Sequence, residues 1–332
     1  MSALPEGLSK ALEDALDRIP ARDLARSAGS LTDRYRSERP APAPIITSAT
    51  DAAAYAAYRM PATYAAATAA LTQFAALAPG SSPRTQLDVG GGTGAAVWAA
   101  AGVWPELESV EVLERVPQVI ELGRRLARTA PSAAVRGAAW RTFTLGPRPE
   151  LPQADLITMS YVLGELVPAD REAVVTELAE RAGAVALIEP GTPAGYARVM
   201  AARQTLIGAG LTIVAPCPHD LDCPISPGRD WCHFAARINR TTLHRQLKNG
   251  ALSYEDEKFS YLVASRARWP QARGRVLRHP QYRKGAVSLT VCTAEPGLAA
   301  QTVFKRDAAR YRQARGAGWG DAWPPDGDQP GS

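Results

Sequence analysis

Leu87-Asp88-Val89-Gly90-Gly91-Gly92-Thr93-Gly94 is the stretch that decides the fold of this chain. A short apolar run ends on an acidic residue, glycines crowd the next five positions, and a segment of helical length starts near Thr93. Gly90, Gly92 and Gly94 let the backbone turn tightly and let a ligand approach it closely. Outward from the loop, Gln86–Val89, Ser109–Glu114, Asp155–Ser160 and Ala184–Glu189 read as strands, with Arg141–Leu145 as a further one. Segments beginning near Thr93, Val116 and Ala169 read as helices between them, so the pattern predicts a doubly wound parallel sheet with covering helices.

The acidic partner narrows the ligand. Glu114 closes the second strand, where a carboxylate can accept from both hydroxyls of a ribose. Gly90, Gly92 and Ala95 also satisfy the dinucleotide fingerprint, which keeps a nicotinamide cofactor as the rival. Asp88 immediately before the loop tips the choice, because D-x-G-x-G-x-G is similar to motif I of class I methyltransferases. That similarity implies S-adenosylmethionine held by Asp88, Gly90, Gly92, Gly94 and Glu114, and the likeness of Asp155–Leu166 to the fourth-strand region of these enzymes adds Ser160, with Tyr161 and Glu165, as pocket residues. No catalytic residue is assigned. An N-P-P-Y signature is missing after Asp155–Ser160, and Pro216-Cys217 follows the fifth strand instead of the fourth, which argues against a covalent nucleophile.

Before the loop, residues 3–36 read as helical, with Leu4, Leu8, Leu12, Leu16 and Ile19 at mostly four-residue spacing. Three prolines in Arg39–Pro44 read as an extended linker. Asp51–Ala78 is Ala-rich and reads as helices whose Tyr55, Tyr58, Tyr64 and Phe74 pack on the core. After about Leu211 come Cys/Pro-rich loops, then strands at Phe259–Ala264 and Ala286–Thr293, and a basic helix over Lys305–Trp319. The organisation is therefore a helical region (1–80), a Rossmann-like core (81–215), a region of cysteine loop, remaining strands and basic surface (216–320), and a flexible tail (321–332).

The four cysteines, Cys217, Cys223, Cys232 and Cys292, all lie in the second half of the 332 residues. A chain this long needs no disulfide staples, so a metal site comes first. Four thiolates suit an iron–sulfur cluster. They also suit zinc, with His219 or His233 able to replace one cysteine. Buried inert thiols are the remaining reading. The formal charge of +5 is concentrated near the end: Lys258–Arg315 holds thirteen Lys or Arg against Glu295 and Asp307. Such a block fits an RNA backbone, although a solvated surface has the same composition. No apolar run is long enough to span a bilayer, and the acidic start is neither a secretory signal nor a typical presequence. A bacterial cytoplasmic protein is expected, with the mitochondrial matrix as the alternative.

From about Tyr58 to Trp319 the chain resembles the methyltransferase-like family of the small ribosomal subunit, found in mitochondria and bacteria. The resemblance is carried by Arg59-Met60-Pro61-Ala62-Thr63-Tyr64, the Asp88–Gly94 loop, Ser160–Leu166, the Cys-Pro-His loop with Trp231-Cys232-His233-Phe234, Arg283-Lys284-Gly285, Cys292, Lys305-Arg306-Asp307 and Trp319-Gly320-Asp321. It implies a class I Rossmann-like methyltransferase fold and association with the small ribosomal subunit or its precursor through rRNA, with neither DNA nor membrane as a partner. It also implies a 4Fe-4S cluster on Cys217, Cys223, Cys232 and Cys292. Two functions stay open: an rRNA methyltransferase, and a non-catalytic assembly factor using the same fold to bind rRNA.

Overall fold

A computed structural model describes residues 3–17, 19–20, 22–27, 29, 46–226, 228–239, 254–295 and 297–325. The linker expected at Arg39–Pro44 and most of the expected tail lie outside these residues. The first helix, α1 (Glu6–Leu16), buries Leu8, Leu12 and Leu16. It stops well short of the single helix expected over 3–36, because Pro20 cannot continue a helical ladder. Helix resumes as α2 over 22–27.

The Ala-rich segment is one helix, α3 (Ala49–Leu77), closed at its start by a capping box between Ser48 and Asp51. It runs through Pro61. The proline removes the donor that Ala57 would otherwise meet, a cost tolerated where packing holds the helix. Its alanines are buried nearly all round, as befits a helix enclosed by other elements.

The strands β1 (Thr85–Val89), β2 (Ser109–Glu114), β3 (Ala139–Thr142), β4 (Ala154–Ser160) and β5 (Ala182–Pro190) pair in parallel. Helices α4 (Ala95–Val103), α5 (Pro117–Ala127), α6 (Ala133–Arg136), α7 (Arg171–Arg181) and α8 (Pro193–Gly208) connect and cover them. Then β6 (Thr212–Ala215), β7 (Phe234–Asn239) and β8 (Tyr254–Ser265) complete the sheet in the order β3-β2-β1-β4-β5-β8-β6, with β7 paired to β8. The long β8 runs antiparallel to β5, β6 and β7. A parallel sheet wound from β1 in both directions, with one late antiparallel strand seated between β5 and β6, is the Rossmann-like methyltransferase arrangement. Apolar residues on alternate sides of β4, Leu156 against Ile157, serve the two cores on the two faces.

A second sheet follows. Strands β9 (Gly274–Val276), β10 (Gln281–Arg283), β11 (Ala286–Thr293) and β12 (Gly297–Phe304) form it, all antiparallel and centred on β11. Helix α9 (Ala308–Gly316) packs on it, shorter than the Lys305–Trp319 helix expected, because the Asp307 side chain caps its start and Ala317 turns extended at its end. β3 lies two residues earlier than expected, since Trp140 packs against Gly123 of α5 and Gly94.

That packing gives opposite expectations for two helical glycines. Gly102→Ala meets nothing within 4 Å and should raise stability by about 0.5–1 kcal/mol through helix propensity alone. Gly123→Ala drives a methyl into the Trp140 ring and should cost about 1–3 kcal/mol despite the same propensity gain. Urea denaturation of the two variants checks the contrast; equal shifts would mean that Trp140 is not seated on α5.

Candidate functional site

The glycine loop leaves β1 and is folded back on β2, with Gly90 and Gly91 N–H both donating to the Leu113 carbonyl at 2.8 and 3.2 Å. Gly90 (φ 66°) and Gly92 (φ 56°) sit in the left-handed region that favours glycine. Beside them is a cavity lined by Asp88, Gly90, Gly92 and Ser160, with Tyr55 and Met60 from α3. The structure thus brings four of the six expected cofactor residues together.

The other two stand apart from that lining. Gly94 is the N-cap of α4 and faces Trp140, so it serves helix packing. Glu114 turns to the loop: one carboxylate oxygen accepts from Gly92 N–H at 3.0 Å and the other from Val116 N–H at 2.9 Å. Burial raises its pKa against these donors.

Asp88 is buried, and one of its oxygens accepts from the Thr158 hydroxyl at 2.7 Å. Its other oxygen, Oδ2, and the Ser160 hydroxyl are buried without a hydrogen-bond partner among the described residues. Two polar atoms left unpaired beside one cavity match a polar ligand that would pair them. Burial pushes Asp88 up to about 7, against the opposing Thr158 hydrogen bond. An unfolded aspartate titrates near 3.8, so this group's contribution is fully present below that pH and is lost as pH rises through about 7. Asp88→Asn should therefore flatten a decline in stability of at most about 1.4 kcal/mol per pH unit across that window. Melting curves from pH 4 to pH 8 read it directly, and parallel wild-type and variant profiles would contradict the raised pKa.

At the end of β4, Tyr161 takes a left-handed conformation (φ 63°), uncommon for an aromatic residue and a mark of local strain. Its hydroxyl donates to Glu257 Oε1 at 2.8 Å. The Arg59 guanidinium lies 4.6 Å above its ring and 3.5 Å from the same carboxylate. Glu165 instead pairs with Arg115 at 3.6 Å.

A second cavity is lined by all four cysteines. Cys217 follows β6, Cys223 lies in the same loop, Cys232 precedes β7 and Cys292 arrives on β11 of the other sheet. Burial raises Cys217 and Cys232, and pushes Cys292 up to about 12. The Cys223 sulfur lies 3.3 Å from the Tyr196 hydroxyl, and Cys292 Sγ lies 3.9 Å from His219 Nε2. Among the described residues no three His, Cys, Asp or Glu side chains close on a single-ion geometry. His233 is instead stacked on Trp231, with ring centroids 5.1 Å apart.

Sequence reasoning missed Tyr55, read as packing, and two buried arginines: Arg275, which lines the cysteine cavity, and Arg203, bonded to carbonyls of the loop that carries Cys217 and Cys223. The Arg59–Tyr64 stretch signals α3 as part of the first site; nothing local marks the arginines.

Over 293 residues the chain is 28% identical to the human protein described as "Ribosome assembly protein METTL17, mitochondrial", covering 81% of this chain and 62% of that one. It is 24% identical to the Schizosaccharomyces pombe "Rsm22-cox11 tandem protein 2, mitochondrial", covering 82% of this chain and 43% of that one. The chain thus spans less than two thirds of either relative. Human N-acetylserotonin methyltransferase in complex with SAM superimposes over 73% of this chain and 67% of its own, at 15% identity and a TM-score of 0.40. Residues 49–324, most of the 332, match the family described as "Mitochondrial small ribosomal subunit Rsm22", and the chain belongs to that family.

Proposed function

We propose that the chain binds S-adenosylmethionine and rRNA as an assembly protein of the small ribosomal subunit, and that its four cysteines hold a 4Fe-4S cluster. The observation that carries the first part is the glycine-loop cavity, where Asp88 Oδ2 and the Ser160 hydroxyl are buried unpaired. When bound, S-adenosylmethionine supplies an activated methyl group on a cationic sulfonium. Gly90 and Gly92 give its nucleoside and amino-acid parts close approach to the backbone. Asp88 Oδ2 would accept from its ammonium, and Ser160 would offer a hydroxyl beside it. Glu114 holds the loop and presents its remaining lone pairs to the ribose.

For the metal, four thiols on one cavity fit a cluster that carries a thiolate at each corner. A single tetrahedral ion at a Zn–S distance of about 2.3 Å draws its sulfurs closer together. Iron and sulfide against zinc in the purified chain therefore separate the two. For RNA, Arg283, Lys284, Lys305, Arg306, Arg310, Arg312 and Arg315 are all exposed on the second sheet and α9. Tyr282 and Phe304 are exposed among them, giving stacking surfaces beside the charges. The basic third region is then the rRNA-binding unit, and the helical region and Rossmann-like core the cofactor-binding unit. The compartment follows the ribosome: bacterial cytoplasm, or the mitochondrial matrix that the relatives' descriptions favour.

The proposal leaves two readings of the chemistry. An active rRNA methyltransferase needs a group free to act beside the methyl. Tyr161, Arg59 and Glu257 instead satisfy one another, and burial together with Glu257 holds the Tyr161 phenol well above its ordinary pKa of 10. That arrangement favours the non-catalytic reading. Incubating the full chain with labelled S-adenosylmethionine and small-subunit precursor particles tests both. Label in rRNA establishes transfer, and binding of donor and particle without label establishes the assembly role. Failure to bind either sinks the proposal.

A further inference from the structure

We infer that Arg203 and Arg275 are the countercharges of an anionic metal–thiolate centre at the four-cysteine cavity, a role that rests on the metal-binding reading above. Both side chains are essentially fully buried. Arg203, on α8, donates through Nη2 to the carbonyls of His219 and Leu221 at 2.8 Å each, and its Nε and Nη1 have no partner among the described residues. Arg275 lies on β9 directly across the ladder from Cys292 and lines the cavity. It donates to the carbonyls of Pro216 and Gly320 at 2.8 and 2.9 Å and to the Gln73 amide oxygen, while its Nη2 is unpaired.

The oxygens that these two guanidiniums reach among the described residues are all neutral, and Arg203 also lies within reach of the Cys217 side chain. A charge taken out of water is unfavourable unless an opposite charge or a full set of hydrogen bonds compensates it. The groups on hand to supply that charge are the thiols. Arg275 faces Cys292 across the ladder, and Arg203 grips the loop carbonyls between Cys217 and Cys223. As neutral thiols the cysteines offer no compensation. Four thiolates on a four-iron core or on one zinc ion carry a net charge of about −2, and two guanidiniums bring the buried assembly to neutrality. Charge balance thus holds for either metal, and the arrangement is stable when loaded and frustrated when empty.

The full chain purified without oxygen, as wild type, Arg203→Met, Arg275→Met and Arg203→Lys, tests this. Wild type is first assayed for iron, sulfide and zinc; a chain that takes up none removes the metal-binding reading and the countercharge with it. If metal is present, both Met variants are expected to release it to excess EDTA roughly tenfold or more faster. Arg203→Lys, which keeps the charge, should release it within roughly threefold of wild type. The metal-free Met variants should melt at or above metal-free wild type, because an uncompensated buried charge has been removed. Unchanged release, or a fall in melting temperature of the loaded and metal-free forms together, would overturn the inference and leave Arg203 and Arg275 as braces of loop carbonyls. Should Arg203→Met fail to fold, Arg275→Met decides by the same two measurements.

Discussion

Gly92→Arg is expected to weaken S-adenosylmethionine binding by roughly a hundredfold or more, equivalent to about 2.7 kcal/mol, and to leave the chain folded. Two effects add. Gly92 lines the cavity, and even a single carbon there would come within 3.3 Å of the Tyr55 hydroxyl, so a guanidinium on a long stem has only the ligand's space to enter. Its backbone is also left-handed, which costs a side-chain-bearing residue about 1–2 kcal/mol. That strain disturbs the N–H that Glu114 accepts, so the loop itself loosens. Equilibrium dialysis with labelled donor reads the affinity, and far-UV circular dichroism confirms the fold. Wild-type affinity would remove the glycine-loop cavity as the donor site.

Cys232→Ser is expected to drop iron from about four per chain to below one, and to lower rRNA affinity about tenfold with it. Serine's hard oxygen is a poor substitute for a thiolate at a soft site. The coupling to RNA comes from where the ligands lie. Cys232 belongs to the first sheet's loop, whereas Cys292 belongs to β11, next to the strands that display Arg283, Lys284, Lys305 and Arg306. A centre gripping both fixes the basic sheet against the core. Metal analysis and filter binding to small-subunit rRNA measure the two quantities. Loss of iron with undiminished RNA affinity would detach the cluster from the RNA surface, and retention of both would exclude Cys232 as a ligand.

The legible parts of the fold were those written locally. Asp88 through Gly94 states its own turn, and the apolar runs of β1, β2, β4 and β5 serve cores on both faces, so they are recognisable as strands without a partner in view. β7 was not foreseen because Phe234–Asn239 includes Arg237 and Asn239 and is a strand only by pairing with the polar half of β8. β12 hides likewise behind small alanines on an exposed face. At the sites, cysteine spacing announced a cluster of thiols, but only the approach of β11 to the loop places Cys292 among them. Arg203 reads in sequence as one more surface arginine on a helix; its complete burial is a tertiary fact.

The seat that β8 occupies imposes an order of events on the growing polypeptide. β5 and β6 are made first, and they flank a gap that stays open until Tyr254–Ser265 has left the ribosome. Until then two strand edges are exposed, a state prone to mispairing with other chains. Cys217, Cys223 and Cys232 emerge before that closure and Cys292 after it, so a nascent chain holds three thiols on an unfinished core. Any centre needing all four thiols can therefore be completed only once Cys292 has emerged on β11, after the first sheet has its last strand.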